Sequence, residues 1–177
     1  MRYKRTQKPG ATFFFTVNLA NRTSRLLTER IDALRLSIQQ TKRNHPFSID
    51  AIVVLPDHLH TVWTLPDIDS DYSKRWMLIK SNFSRQIPNK EYRRKSRILR
   101  RERVILQRRF WEYCIRDEED FIRHVDYIHY NPVKHGYVQK ASQWEYSSIH
   151  RYIKKGILDK EWGVALDFRF NEAFGES

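Results

Sequence analysis

The distribution of apolar residues predicts three strands in the first part of the chain. Residues Thr12 to Leu19, TFFFTVNL, are almost all aromatic, aliphatic or β-branched, which is typical of a buried strand. Phe47 to Val54 and His58 to Leu65 are two further strand-like runs. The link between them, Leu55-Pro56-Asp57, is short enough for a hairpin, so we expect these two strands to pair.

Helical spacing predicts three helices. The first begins near Thr28 and ends before Pro46. The second covers Asp71 to Gln86, where apolar residues at helical steps form one stripe, namely Tyr72, Trp76, Ile79 and Phe83. The third follows the acidic run 117–120, which suits the positive end of a helix. We expect it to end at Asn131, because a residue before proline is biased away from helical geometry.

A fourth strand, Arg109 to Ile115, lies between the second and third helices, and 142–152 is compatible with a last helix or with turns. The resulting order predicts an α+β fold, an antiparallel sheet flanked by helices as in ferredoxin-like or RRM-like sandwiches. The length of 177 residues fits one domain, which we assign to 1–155. Segment 156–177 holds five acidic and two basic residues, and we interpret it as an acidic tail that could regulate activity by covering a basic site.

Positive charge dominates the rest of the chain. With 33 Lys and Arg against 21 Asp and Glu, the net charge is +12, which predicts a nucleic-acid partner. Ten basic and two acidic residues lie between Pro88 and Phe110, and we interpret about 88–108 as a basic insertion, either a solvated surface segment or a DNA contact.

Membrane and secreted classes are disfavoured. No run approaches the roughly 18 to 20 apolar residues of a membrane span, and the first ten residues are too polar for a signal peptide. The single cysteine, Cys114, allows no intramolecular disulfide and suits a reducing compartment. We therefore expect a cytoplasmic protein.

Two histidines separated by one residue, His58 and His60, fall on the third predicted strand. Residues two apart on a strand point to the same face, so both imidazoles can reach one metal ion while Leu59 faces the core. Buried or solvated histidines that hold no metal are the alternative. A metal ion held by two imidazoles and one further ligand keeps open positions for a phosphate group.

The third predicted helix offers a nucleophile and a third ligand. Tyr127 and Tyr130 are candidate nucleophiles, and Asn131 lies one helical turn after Tyr127 on the same face. A tyrosine attack on phosphorus leaves a covalent link that retains the bond energy needed to rejoin DNA. The residues alone also permit the alternative that Tyr127, Tyr130 and His124 are ordinary packing residues.

Several stretches resemble the REP-associated tyrosine transposases, single-tyrosine relatives of the HUH insertion-sequence transposases. The resemblance covers about residues 10 to 152 and is carried by FFFTVNLANR, VVLPDHLHTVWTLP, RFWEYCIRDEEDFIRHVDYIHYNPVKHGYV and WEYSS. It implies that His58 and His60 are the metal pair, that Tyr127 is the nucleophile, and that Asn131 is the third metal ligand. Tyr130 is then a packing residue.

The resemblance also implies a substrate and a cofactor. Members of this family act on single-stranded DNA in which a repetitive extragenic palindrome folds into a hairpin with a short guide sequence at its foot. Cleavage would leave a 5′-phosphotyrosine and a free 3′-hydroxyl, followed by rejoining. Mg²⁺ or Mn²⁺ is implied, and two imidazole ligands suit Mn²⁺ at least as well as Mg²⁺. A monomer associated with the nucleoid is expected by the same analogy.

Basic and aromatic residues outside this motif are candidate DNA contacts, because backbone neutralisation and base stacking both contribute to single-strand binding. The candidates are Tyr3, Arg5, Lys8, Arg93, Arg94, Lys95, Arg97, Arg100 and Arg101. Two other functions remain open from the sequence. One is a sequence-specific DNA-binding protein that has lost cleavage, and the other is a nuclease that uses water as its nucleophile.

Overall fold

The computed structural model describes residues 6–88 and 105–164. The strands in these residues are β1 (Thr12–Asn18), β2 (Ser48–Val54), β3 (His58–Thr64) and β4 (Trp111–Cys114). The helices are α1 (Leu26–Glu29), α2 (Ile31–Asn44), α3 (Tyr72–Gln86), α4 (Glu118–Lys134) and α5 (Ile149–Lys154), with a 3-10 turn at Ala141–Gln143. No helix in this part of the chain combines the length and apolar character needed to cross a membrane.

The strands form one antiparallel sheet in the order β2-β3-β1-β4. Together with the helices between β1 and β2 and between β3 and β4, this is the split β-α-β arrangement of ferredoxin-like folds, so the predicted α+β class is confirmed. The predicted hairpin is also present, and the Leu55 amide donates to the His58 carbonyl across its turn at 2.8 Å. In the pairing of β1 with β3, Thr16 lies opposite His60 and Asn18 opposite His58.

Both faces of the sheet are covered. On one face, α2 and α3 enclose a core that contains Phe13, Phe15 and Trp63. On the other face, α4 packs over Phe14 and Val62. Burial on both sides explains why β1 is apolar almost throughout instead of alternating with polar residues.

Helix α4 continues past the predicted end at Asn131, and that prediction was wrong. Pro132 lies inside the helix, which ends at Lys134, and the Asn131 carbonyl accepts from the His135 amide at 3.0 Å. Pro132 is buried, and Val133 packs with Ala141 and neighbouring apolar residues. This packing offsets the local bias against helix before and at a proline.

The first part of the acidic segment packs on the domain. Leu158 and Trp162 contact the cluster formed by Tyr130, Val133 and Ala141, and Lys140 donates to the carboxylate of Glu161. Residues up to Val164 therefore help to cover the end of α4. The rest of the predicted tail, 165–177, lies outside the described residues, as does most of the predicted basic insertion.

Candidate active site

The face of the sheet beneath α4 brings together His58, His60 and Tyr127. The two imidazole rings have centroids 5.0 Å apart, and the His60 ring lies 5.3 Å from the Tyr127 ring. Leu59 points to the opposite face and joins the core with α2 and α3. Strand alternation thus separates the two histidines from the residue between them, and α4 supplies the tyrosine from above.

Each histidine is oriented through its Nδ1 atom. His58 Nδ1 lies 2.8 Å from Asp57 Oδ1, and His60 Nδ1 lies 2.9 Å from Thr16 Oγ1. His58 Nε2 is buried and has no hydrogen-bond partner among the described residues. Metal-binding histidines usually have one ring nitrogen hydrogen-bonded to a carboxylate and the other directed at the metal, so the His58 side chain fits a divalent cation.

Asp57 is ionised at neutral pH. Burial by itself raises its pKa, but hydrogen bonds and charge from His58 and Arg22 outweigh burial and lower the pKa to about 2. Arg22 Nε donates to the second carboxylate oxygen at 2.7 Å. The Asp57 carboxylate can therefore accept a hydrogen bond from the Nδ1–H group of His58, and in that tautomer His58 Nε2 carries the lone pair.

Tyr127 is fully buried, and its hydroxyl accepts a hydrogen bond from a lysine. Lys134 Nζ donates to the Tyr127 hydroxyl at 3.1 Å and lies 4.8 Å from the centre of its ring. Lys134 was not among the predicted site residues, because the helix was predicted to end at Asn131. The available signal was the spacing of seven residues, two helical turns, which places both side chains on one face if the helix continues.

Asn131 is also fully buried, one turn after Tyr127 on α4, which is the position predicted for it. Among residues 6–88 and 105–164, no three His, Cys, Asp or Glu side chains form a group that could hold a metal ion. The set predicted from the sequence differs from such a group, because its third member is a carboxamide.

Three neighbouring aromatic residues complete the surroundings. The His135 ring lies 5.2 Å from the His58 ring, a contact for which the sequence gives no signal. Tyr130 packs with Val133 and Ala141 on another side of α4, which agrees with a packing role. His124 Nδ1 hydrogen-bonds to the Asp120 carbonyl at 2.7 Å, and its ring packs on Phe14.

Most of the predicted DNA contacts lie outside the described residues. Of these candidates, Lys8 alone is described; it is exposed and precedes β1. His58 pairs with Asn18 at the far end of that strand, so Lys8 and the histidines lie at opposite ends. The candidates outside the described residues are Tyr3, Arg5, Arg93, Arg94, Lys95, Arg97, Arg100 and Arg101.

The chain is similar to named proteins along almost its whole length. A REP-associated tyrosine transposase of Escherichia coli strain K12 is 44% identical over 171 residues, which cover 96% of each chain. A Haemophilus influenzae protein provisionally given the same name is 46% identical over 169 residues, covering 94% of this chain and 96% of that protein. The chain matches no protein-family model.

A solved structure extends the similarity to the fold. It is described as the REP-associated tyrosine transposase bound to a REP hairpin. Its TM-score is 0.80 at 44% sequence identity, and the match covers 95% of this chain and 94% of that one. With identity at this level along nearly the whole chain and the same arrangement of sheet and helices, the chain belongs to the REP-associated tyrosine transposases.

Proposed function

We propose that this protein cleaves and rejoins single-stranded DNA at REP-type hairpins, with Tyr127 as the nucleophile. The observation that carries the proposal is the position of the Tyr127 hydroxyl, which meets Lys134 on one side while the ring lies beside His60. The relatives are named as tyrosine transposases, and a REP hairpin is the DNA bound in the solved relative.

We expect His58, His60 and Asn131 to hold Mg²⁺ or Mn²⁺. The buried Nε2 atom of His58, with its Nδ1 already satisfied by Asp57, fits this role. When bound, a divalent ion polarises a phosphoryl oxygen and aligns the scissile phosphate. The imidazole pair favours Mn²⁺ at least as much as Mg²⁺, which prefers oxygen ligands.

The cleavage step exchanges one phosphate ester for another. The Tyr127 oxygen attacks phosphorus and gives up its proton, while the bond from phosphorus to the 3′ oxygen breaks. The departing 3′ oxygen takes up a proton, so the products are a 5′-phosphotyrosine and a 3′-hydroxyl. Because the ester link is retained, a 3′-hydroxyl can reverse the step and join strands without a further energy source.

Lys134 has a specific part in this step. A phenol with an ordinary pKa near 10 is a weak nucleophile at neutral pH. The Lys134 ammonium, which donates to the Tyr127 oxygen at 3.1 Å, stabilises negative charge on that oxygen as the proton departs. We therefore assign Lys134 to activation of Tyr127.

The overall positive charge supports a DNA substrate, and binding should weaken steeply as salt neutralises the backbone contacts. The guide sequence at the hairpin foot, the monomeric state, the nucleoid-associated location and the DNA contacts by basic residues remain predictions from the sequence.

A denaturing gel tests the nucleophile directly. The protein is incubated with a labelled REP hairpin that carries single-stranded flanks, in Mn²⁺ or Mg²⁺, and the label should migrate with the protein as a covalent adduct. Tyr127→Phe should abolish the adduct. Tyr130→Phe is the matched control, because it makes the same change on the same helix in a residue that packs away from His60.

Three results would contradict the proposal in distinguishable ways. An undiminished adduct with Tyr127→Phe would remove Tyr127 from the role. Cutting without an adduct, retained in that variant, would indicate a nuclease that uses water. Tight hairpin binding with no cleavage in either metal would indicate a DNA-binding protein that lacks the reaction.

A further inference from the structure

Trp111 is a large aromatic residue left partly exposed on a sheet edge beside the candidate site. It is the first residue of β4, which is an edge strand in the described sheet, and 37% of its surface is exposed. The α2 and α3 face of the sheet encloses its tryptophans almost completely, with Trp63 and Trp76 each 1% exposed. An exposed indole on the opposite face therefore calls for a functional explanation.

The strand register places Trp111 in line with the site. Thr16 pairs with His60 on one side and with Trp111 on the other, so the three residues form one row across β3, β1 and β4. Two strand spacings separate the ends of such a row, roughly 10 Å. The Trp111 ring contacts Phe14 at 5.7 Å between centroids, and Phe14 in turn contacts both His60 and Tyr127.

Neighbouring residues hold the indole in a fixed plane. Tyr113 is nearly parallel to Trp111, with an angle of 9° and centroids 6.0 Å apart. Tyr113 is itself anchored, because its ring stacks on that of the buried His124, with the ring centroids 4.9 Å apart. A preformed aromatic surface costs little ordering entropy when a planar ligand stacks on it.

The charged residues that flank β4 differ in sign at its two ends. Arg108 and Arg109, three and two residues before Trp111, are both exposed. Lys80 fixes the backbone at that point by donating to the carbonyls of Gln107 and Arg108. After β4, Arg116 pairs with Asp120, but the four acidic residues at 117–120 leave this end with a net negative charge. A polyanion in contact with Trp111 is therefore favoured toward the arginine end.

We propose that Trp111 is a stacking platform for one unpaired DNA base next to the scissile phosphate, with Arg109 contacting the adjoining phosphate. The inference deepens the proposed function, since it assumes that the substrate enters the site as a single strand. Aromatic residues on an open sheet surface commonly bind single-stranded nucleic acids in this way. Trp111 is thereby assigned to positioning the DNA and takes no part in the bond changes.

Binding measurements on the full chain test the platform without requiring cleavage. Fluorescence anisotropy is recorded with a labelled REP hairpin carrying about six unpaired nucleotides on each side, and with the same hairpin made blunt. Trp111→Ala should weaken binding of the flanked hairpin by about 5- to 150-fold, the range found for loss of one stacked base. Trp111→Phe should restore most of the affinity, and binding of the blunt hairpin should not change.

An abasic scan identifies the base. Each unpaired nucleotide is replaced in turn by an abasic site. At one position the replacement should lower the DNA affinity of the wild-type protein but leave that of Trp111→Ala unchanged. Met77→Ala is the matched control, because Met77 is an exposed apolar residue, 60% accessible, on α3 at the other face of the sheet. Thermal unfolding of Trp111→Ala checks that the fold is kept.

Three outcomes would overturn the platform. They are equal weakening of the flanked and blunt hairpins, abasic effects that are the same in wild type and Trp111→Ala, and unchanged binding of the flanked hairpin by Trp111→Ala. Failure of the proposed chemistry looks different. The wild-type protein would then form no covalent adduct, while the stacking signature at one flanking base would persist.

Discussion

Asp57 should control the affinity of the proposed metal site without being a ligand. Its carboxylate lies 2.8 Å from His58 Nδ1 with the side chain only 14% exposed, so it fixes both the ring orientation and the proton on Nδ1. Loss of such an outer partner typically lowers metal affinity by about 10- to 100-fold. Asp57→Asn keeps an oxygen acceptor and loses the charge, so we expect the lower end of that range. Asp57→Ala loses both and should reach the upper end.

Electron paramagnetic resonance of free Mn²⁺ during titration measures this affinity directly, without DNA. Thermal unfolding of each variant shows whether the fold is intact. Asp32→Asn is a suitable control, because it removes one carboxylate from an exposed pair with Arg35, and surface pairs of this kind contribute little to stability. The control should bind Mn²⁺ like the wild-type protein.

The graded order is the critical result. Equal affinity of wild type, Asp57→Asn and Asp57→Ala for Mn²⁺ would show that Asp57 does not orient a metal ligand. Tighter binding to Asp57→Ala would refute the reasoning more strongly, because it would mean that the carboxylate holds His58 away from the ion. Absence of Mn²⁺ binding to the folded wild-type protein would instead contradict the cofactor proposal itself.

Further predictions concern Lys134, Asp126 and the C-terminal segment. Lys134→Met should slow formation of the Tyr127 adduct on the order of 10²-fold in single-turnover assays, with thermal stability retained; an unchanged rate would remove Lys134 from the reaction. Burial raises the pKa of Asp126 to about 6, so ionisation of Asp126 destabilises the fold as pH rises from about 4 to 6. In denaturant unfolding, Asp126→Asn should therefore add about 1 kcal/mol to the free energy of unfolding near pH 7.5 and little near pH 4. Equal gains at both pH values would contradict this. Truncation after Val164 should raise the cleavage rate at low salt if the acidic tail masks the site, and an unchanged rate counts against masking. Truncation after Tyr152 should also lower the melting temperature, because it removes side chains that pack beneath the end of α4.

Local patterns were sufficient to predict most of the secondary structure. The strands, the β2-β3 hairpin and the start of α4 follow from apolar spacing, turn length and the acidic run 117–120, all of which act between near neighbours. In the structure Asp117 caps α4, with its side chain accepting from the Asp120 amide at 2.9 Å. The error at Asn131 arose because a local rule about proline was outweighed by burial of Pro132 and Val133 in the tertiary structure.

The candidate site divides in the same way. Strand alternation by itself places His58 and His60 on one face of their strand, and helical spacing places Tyr127 and Asn131 on one face of their helix. Each of these patterns is a property of a single element. Three other features depend on how distant segments pair and pack. The two faces meet, Lys134 reaches the Tyr127 hydroxyl, and Trp111 lies in the same row as His60. The sequence thus determined the chemistry available on each element. Only the tertiary structure decided which groups share a site, because contacts between distant segments depend on burial and strand register and not on local spacing.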